Sequence, residues 1–175
     1  MKDMTVSKAL KWIFIAAILS IFSGLGVIGA ILGIVAFVLN LLALYGAGKM
    51  DSGYHTAFIL SIVGIVLSVL SLINSAVLNT IISIVSIVVE LGILYFVVTT
   101  TCKHLEAKGA HDVAAKGVTV WKINLICMIA SVVLLLLVLI VPVIAAVLSV
   151  IVGIVSLVGS ILYLIFLWKS QAALA

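Results

Sequence analysis

Three long apolar runs, residues 12–47, 54–101 and 117–168, take up most of this 175-residue chain, and lysines stand at both ends of each. The hydrocarbon core of a bilayer is about 30 Å thick, so a helix rising ~1.5 Å per residue crosses it in ~20 residues. Each run is too long for one crossing. The second and third hold two spans apiece, and the first has room for two short ones. Composition fits that solvent: 67% of the residues are hydrophobic and 8% charged, against roughly half and a quarter in a soluble domain. A fold this apolar would have no polar surface to show water, whereas helices facing acyl chains need none. The expected fold class is an all-α integral membrane helical bundle, with residues 1–175 forming a single membrane domain.

Each run is broken near its middle by turn-forming residues: Ser23-Gly24-Leu25-Gly26, then Asn74-Ser75-Ala76 up to Asn79, then Pro142. The nine basic residues are all lysines (Lys2, Lys8, Lys11, Lys49, Lys103, Lys108, Lys116, Lys122 and Lys169), and none occurs at a midpoint break. By the positive-inside rule each run leaves the cytoplasmic side and returns to it. The pattern predicts six transmembrane spans near residues 10–23, 27–46, 54–74, 78–99, 119–140 and 143–168. They pair into three helical hairpins near 10–46, 54–99 and 119–168, with cytoplasmic linkers at 47–53 and 102–116 and both terminal segments cytoplasmic. The spans of the first hairpin are short for a bilayer, so local thinning or a re-entrant loop is expected there. Lys2, Lys8 and Lys11 before an apolar run resemble a signal peptide, but more membrane-grade sequence follows, which favours a retained first span. The plasma membrane is the expected location.

Leu44-Tyr45 followed by Lys49, Leu94-Tyr95 by Lys103, and Leu162-Tyr163 by Lys169 close the three hairpins in the same way. This reads either as an internal triplication or as the ordinary chemistry of a span meeting the interface. The net charge of +4 is scattered and interleaved with Asp3, Asp51, Glu106 and Asp112, which points to topology and anionic lipid rather than nucleic acid. Cys102 and Cys127 fall on no exported turn, so no structural disulfide is expected.

Inside the spans, small and polar residues recur at alternating steps of three and four, which keeps them on one helical face. The second span carries Gly29, Gly33, Ala36, Asn40 and Ala43, and the third Ser61, Gly64, Ser68, Ser71 and Ser75. The fourth has Asn79, Ser83, Ser86 and Glu90, the fifth Asn124, Cys127 and Ser131, and the sixth Ser149, Gly153, Ser156, Ser160 and Tyr163. Helices in lipid associate by close contact and interhelical hydrogen bonds, both of which small residues allow. These stripes are the expected inner seam, either as packing alone or as the lining of a polar path. Gly29 and Gly33 also form a GxxxG pair, a hint of dimerisation.

Glu90 is the one ionisable residue deep in a span, and no lysine or histidine lies at its depth. A carboxylate there costs a few kcal/mol to insert, so it serves either as protonated glue bonded to a neighbour or as a proton or cation site. Cys102, His104, Glu106, His111 and Asp112 could ligate a metal, but their spacing matches no zinc pattern and no metal site is expected. Gly24-Leu25-Gly26-Val27-Ile28-Gly29 satisfies GxGxxG without the βαβ context that motif needs, so glycines at a turn explain it and no cofactor is expected.

The membrane interior offers one carboxylate and no histidine, too little for an oriented acid, base and nucleophile, so no enzyme activity is expected. The leading expectation is a non-catalytic subunit or accessory protein acting through helix contacts, with the bilayer, a second copy or other membrane subunits as partners. The alternative is a small-solute, proton or cation transporter or channel subunit using Glu90 and the seam. The topology is testable on a cysteine-free background: cysteines placed at Ser52 and Gly109 should resist an impermeant thiol reagent added outside intact cells. Labelling at either from outside refutes the three-hairpin layout.

Overall fold

The computed structural model describes residues 4–24, 26–71, 76–140 and 142–175, and these are helical apart from short connections. The elements run α1 (Val6–Ile21), a 3-10 turn (Phe22–Gly24), α2 (Gly26–Gly48), α3 (Ser52–Leu70), α4 (Ala76–Ala107), α5 (His111–Ile140) and α6 (Pro142–Ala173). Five of them, α2 to α6, are long and apolar enough to cross a membrane. At 16 residues α1 rises only ~24 Å, but α2 has 23 residues, so the shortness expected of both helices in the first hairpin falls on α1 alone. Pro142 opens α6, where a missing N–H leaves no helical bond unmade. The expected turn at Asn74-Ser75, like Leu25, lies outside the described residues.

Local chemistry sets the helix ends. The Thr5 hydroxyl accepts from the Lys8 N–H at 3.3 Å and Asp51 Oδ1 from the Gly53 N–H at 2.8 Å, capping α1 and α3. Helix α4 ends in a Schellman motif: Ala110 N–H bonds Leu105 O at 2.8 Å and Gly109 N–H bonds Glu106 O at 2.9 Å, with Gly109 at φ +78°. The segment 102–116, expected as a solvated linker, is therefore mostly the last turns of α4 and the first of α5. Lys103, Glu106, Lys108, His111, Asp112 and Lys116 are exposed there, while Leu105 and Ala114 on the inner faces of the two helix ends are buried.

The six helices form a ring. Each packs on its neighbours in sequence, and α1 packs on α6 to close the circle. Packing is most extensive within the pairs α1–α2, α3–α4 and α5–α6, the three expected hairpins. The joints between hairpins share one device. Tyr45 of α2 meets Phe58 of α3 with ring centroids 5.5 Å apart, Tyr95 of α4 meets Trp121 of α5 at 5.0 Å, and Trp168 of α6 meets Phe14 of α1 at 5.5 Å. In each case the second helix of one hairpin offers an aromatic ring to the first helix of the next. Tyr45 and Tyr95 of the faint repeat fill this role; Trp168 fills it in the third hairpin, where Tyr163 does not.

The main buried cluster lies at the lysine-bearing end of the ring. Leu10, Leu44, Tyr54, Leu105 and Leu167 are fully enclosed there, with Ala9, Ala43, Ala47 and Ala57 letting backbones approach. A Cβ on Gly48 would lie 2.9 Å from the His55 backbone, and one on Gly117 would lie 2.5 Å from Cys102 Sγ and 2.7 Å from the Phe166 ring. Tyr54 Oη and Thr101 Oγ1 share a buried hydrogen bond of 2.8 Å between α3 and α4, and Ser7 Oγ donates to Gln171 O at 2.7 Å between α1 and α6.

The opposite half is loose. Val27, Ile31, Val66, Ile81, Val147 and Ile154 are exposed, and nothing lies within 4 Å of a Cβ built on Gly64 or Gly153. Gly64, Ser68 and Gly153, expected as helix-packing positions, line open clefts instead. The hydroxyls of Ser61, Ser68, Ser83 and Ser131 each donate to the carbonyl four residues earlier in their own helix, at 2.8–2.9 Å. Serines satisfied in this way do not tie helices together. Gly29 and Gly33 are used inside the chain: a Cβ on Gly29 would sit 2.5 Å from Ser23 O, and one on Gly33 3.2 Å from Ser23 Cβ. The GxxxG pair seats the α1–α2 turn.

This asymmetry predicts opposite outcomes for one methyl group. Gly117→Ala should destabilise the protein by roughly 1–3 kcal/mol through overpacking. Gly153→Ala, in an open helix interior, should be neutral or gain up to ~1 kcal/mol. Thermal unfolding in detergent measures both.

Candidate functional site

The stripes on α2 to α6 turn toward the middle of the ring, where they meet three cavities. The first, about 540 Å³, lies among α1, α2, α4, α5 and α6 and is faced by Asn40, Glu90, Asn124, Tyr163, Ser20 and Ser23. The second, about 500 Å³, lies among α2, α3 and α4 and is again faced by Asn40 and Glu90, with Ser61, Ser68 and Ser86. The third, about 620 Å³, opens between α3–α4 and α5–α6 and carries Ser68, Ser83, Ser86, Ser131, Ser149 and Ser156. Shared walls join them: Asn40 and Glu90 border the first and second, Ser68 and Ser86 the second and third.

Glu90 stands near the middle of α4, ~21 Å from Ala76 along the axis and ~25 Å from Ala107. Helix α2 borders the same two cavities through Asn40 without packing on α4, so between α2 and α4 the Glu90 side chain meets space rather than a helix contact. Among the described residues it has neither an ion-pair nor a hydrogen-bond partner. The lining of all three cavities includes no lysine, arginine or histidine among the described residues. Asn124 donates from Nδ2 to Val120 O at 2.9 Å, and its Oδ1 would lie 3.3 Å from a Cβ on Gly159, which is why α6 needs a glycine there.

The expected polar seam is thus divided. Glu90, Asn40 and Asn124 share one cavity, Ser83 and Ser86 border the serine-lined cleft, and Asn79 lies on the first turns of α4 with its carbonyl accepting from Ser83, away from all three linings. Among the small residues, Gly33 borders the first cavity, Ser61 and Gly64 the second, and Gly153 and Ser156 the third. Ser20, Ser23, Phe37 and Met128 also reach the first cavity and were not singled out from the sequence. Ser20 and Ser23 are three apart at the end of α1, a spacing that could have marked them.

A second polar cluster lies at the lysine-bearing end. His104 Nε2 is 3.3 Å from Asp51 Oδ2, the other oxygen of the α3 cap, and the His104 ring stacks on Tyr54 at 6.2 Å. Cys102 Sγ donates to Ala114 O at 3.4 Å, joining α4 to α5. Cys102 and Cys127 are free and buried, and the described His, Cys, Asp and Glu residues gather in no group of three that could hold a metal. This cluster joins helices, and His104 also borders an open cleft of about 640 Å³ with Ser7, Lys8 and Lys108.

Comparison of the chain with protein-family models, with curated proteins and with solved structures gives no match. The functional reading therefore rests on the cavities themselves. If water reaches them, cysteines at Ser86 and Ser156, with Cys102 and Cys127 replaced by alanine, should react with a small hydrophilic thiol reagent. Cysteines at the outward-facing Val88 and Val158 should react at least tenfold more slowly in lipid. Equal rates at the two pairs would show that the clefts are no more accessible than the lipid-facing surface.

Proposed function

We propose that this chain is a non-catalytic six-span membrane protein, with both terminal segments cytoplasmic, that binds a small solute in the cavity around Glu90 and passes it across the bilayer. The observation that carries this reading is Glu90 itself, at mid-helix, unpartnered among the described residues and bordering two connected cavities. A carboxyl group retained as glue belongs in a bond to a neighbouring helix, because only a bond offsets the cost of inserting it. A carboxyl group that borders open clefts has a place for a ligand or a proton instead. The size agrees: solute pockets run ~300–1,000 Å³, and the Glu90 cavity is about 540 Å³. Six crossings follow if α1 spans a locally thinned bilayer, and the lysine-bearing ends then face the cytoplasm.

The accessory-protein reading keeps one support. The cleft bordered by Gly153 has nothing within 4 Å of that glycine's Cβ position, which is room for the helix of another subunit. Purification in mild detergent with a crosslinker placed at Gly153 tests for such a partner.

Flux in proteoliposomes decides between the two. Glu90→Gln keeps the shape and donor capacity of the protonated acid, so thermal stability should change by no more than a degree or two while uptake of the transported solute falls at least tenfold. A folded Glu90→Gln protein with wild-type flux, or wild-type liposomes no more permeable than empty ones across a broad panel of solutes, overturns the transport reading.

A further inference from the structure

The Glu90 cavity is mixed in character. Its wall is largely apolar, with Ile13, Leu94 and Met128 contributing aliphatic surface and Phe37 and Tyr163 aromatic surface, while its single carboxylate faces no cationic side chain among the described residues. Charge and size together select what such a space can hold. An anion finds no cationic side chain in the described lining to pair with. A hard inorganic cation wants about six oxygen ligands in a tight shell, and Glu90, Asn40, Asn124 and Tyr163 supply few of them around about 540 Å³. A proton alone would need no cavity of that volume. A neutral apolar molecule would offer Glu90 neither a hydrogen bond nor an ion pair. The remaining class carries one positive charge to match one carboxylate, N–H groups for the amide oxygens, and an apolar body for the rest of the wall. Aromatic faces add attraction for a cation seated against them.

Resting on the reading of this cavity as a solute site, we infer that its ligand is a monovalent organic amine cation with an apolar body, of the arylalkylammonium class. Its ammonium pairs with Glu90 between Asn40 and Asn124, and its hydrocarbon part lies against Phe37, Leu94 and Met128. With no second acidic residue in the lining among the described residues, the ligand is limited to one charge, since a dication would bring an uncompensated charge to membrane depth.

Equilibrium binding to the protein in nanodiscs, with empty nanodiscs subtracted for lipid partitioning, tests the inference with two probes of nearly equal shape: phenethylammonium and the neutral 2-phenylethanol. The wild type should bind phenethylammonium at least tenfold more tightly than 2-phenylethanol, and Glu90→Gln should remove that preference while leaving the alcohol's affinity within about twofold. Ala17→Phe, which fills the cavity without touching the charge, should weaken both probes; it and Glu90→Asp, which keeps the charge, hold the test open should Glu90→Gln fail to fold. Equal wild-type affinity for the two probes, or a cation preference surviving in folded Glu90→Gln, overturns the charge selection while leaving the solute cavity standing. Absence of saturable binding by either probe, together with absence of flux for any solute, overturns the cavity reading as well.

Discussion

Everything in this structure depends on how six helices hold together where leaving lipid gains them nothing. Association must come from contact and from polar bonds, and both are concentrated at the lysine-bearing end. There alanines and glycines bring backbones together, Tyr54 bonds Thr101, Ser7 bonds the α6 backbone, and an aromatic pair closes each joint between hairpins. Toward the other end the helix surfaces are isoleucine, valine and leucine, as content against acyl chains as against each other. The ring is therefore fastened most extensively at one end, with clefts opening between helices along the rest of its length.

The cavities follow from that fastening. With the collar holding one end of α2, α4 and α6, mid-helix residues of these helices line a common cleft. Serines on the inner faces satisfy their hydroxyls within their own helices, so they neither pull the helices together nor demand a partner. Such a wall is polar without being sticky, which suits a surface a solute must leave as well as enter. Glu90 is different in kind: its group cannot be satisfied by its own helix in the same way. It is thus the one position in the described lining where a ligand's charge decides the energy, and on that the proposed solute site is built.

The polar cluster at the collar makes the contrast plain. Asp51, His104 and Tyr54 have more of the side chains usually associated with chemistry than the cavity does, yet each is committed to capping a helix, stacking or joining α3 to α4. The chemical richness of a segment is no guide to a site when its groups already bond one another. Conversely, a lone carboxylate among serines draws attention because nothing has claimed it.

The sequence alone determined the helical class, the apolar environment, the pairing of helices into three hairpins and the depth of Glu90, since run length, charge position and turn residues act locally along the chain. It marked Asn40 and Asn124 beside Glu90 as polar residues on inward stripes, but a helical period says only that residues share a face, not what that face meets. Gly64 and Ser68 show the difference: they continue the helical spacing of Ala57, which is buried, while they border open clefts. Whether a small residue packs or lines a space is set by the distance to the facing helix. That distance depends on the collar contacts far along the chain, so only the tertiary structure could decide that Glu90, Asn40 and Asn124 share one cavity while Asn79 stands apart.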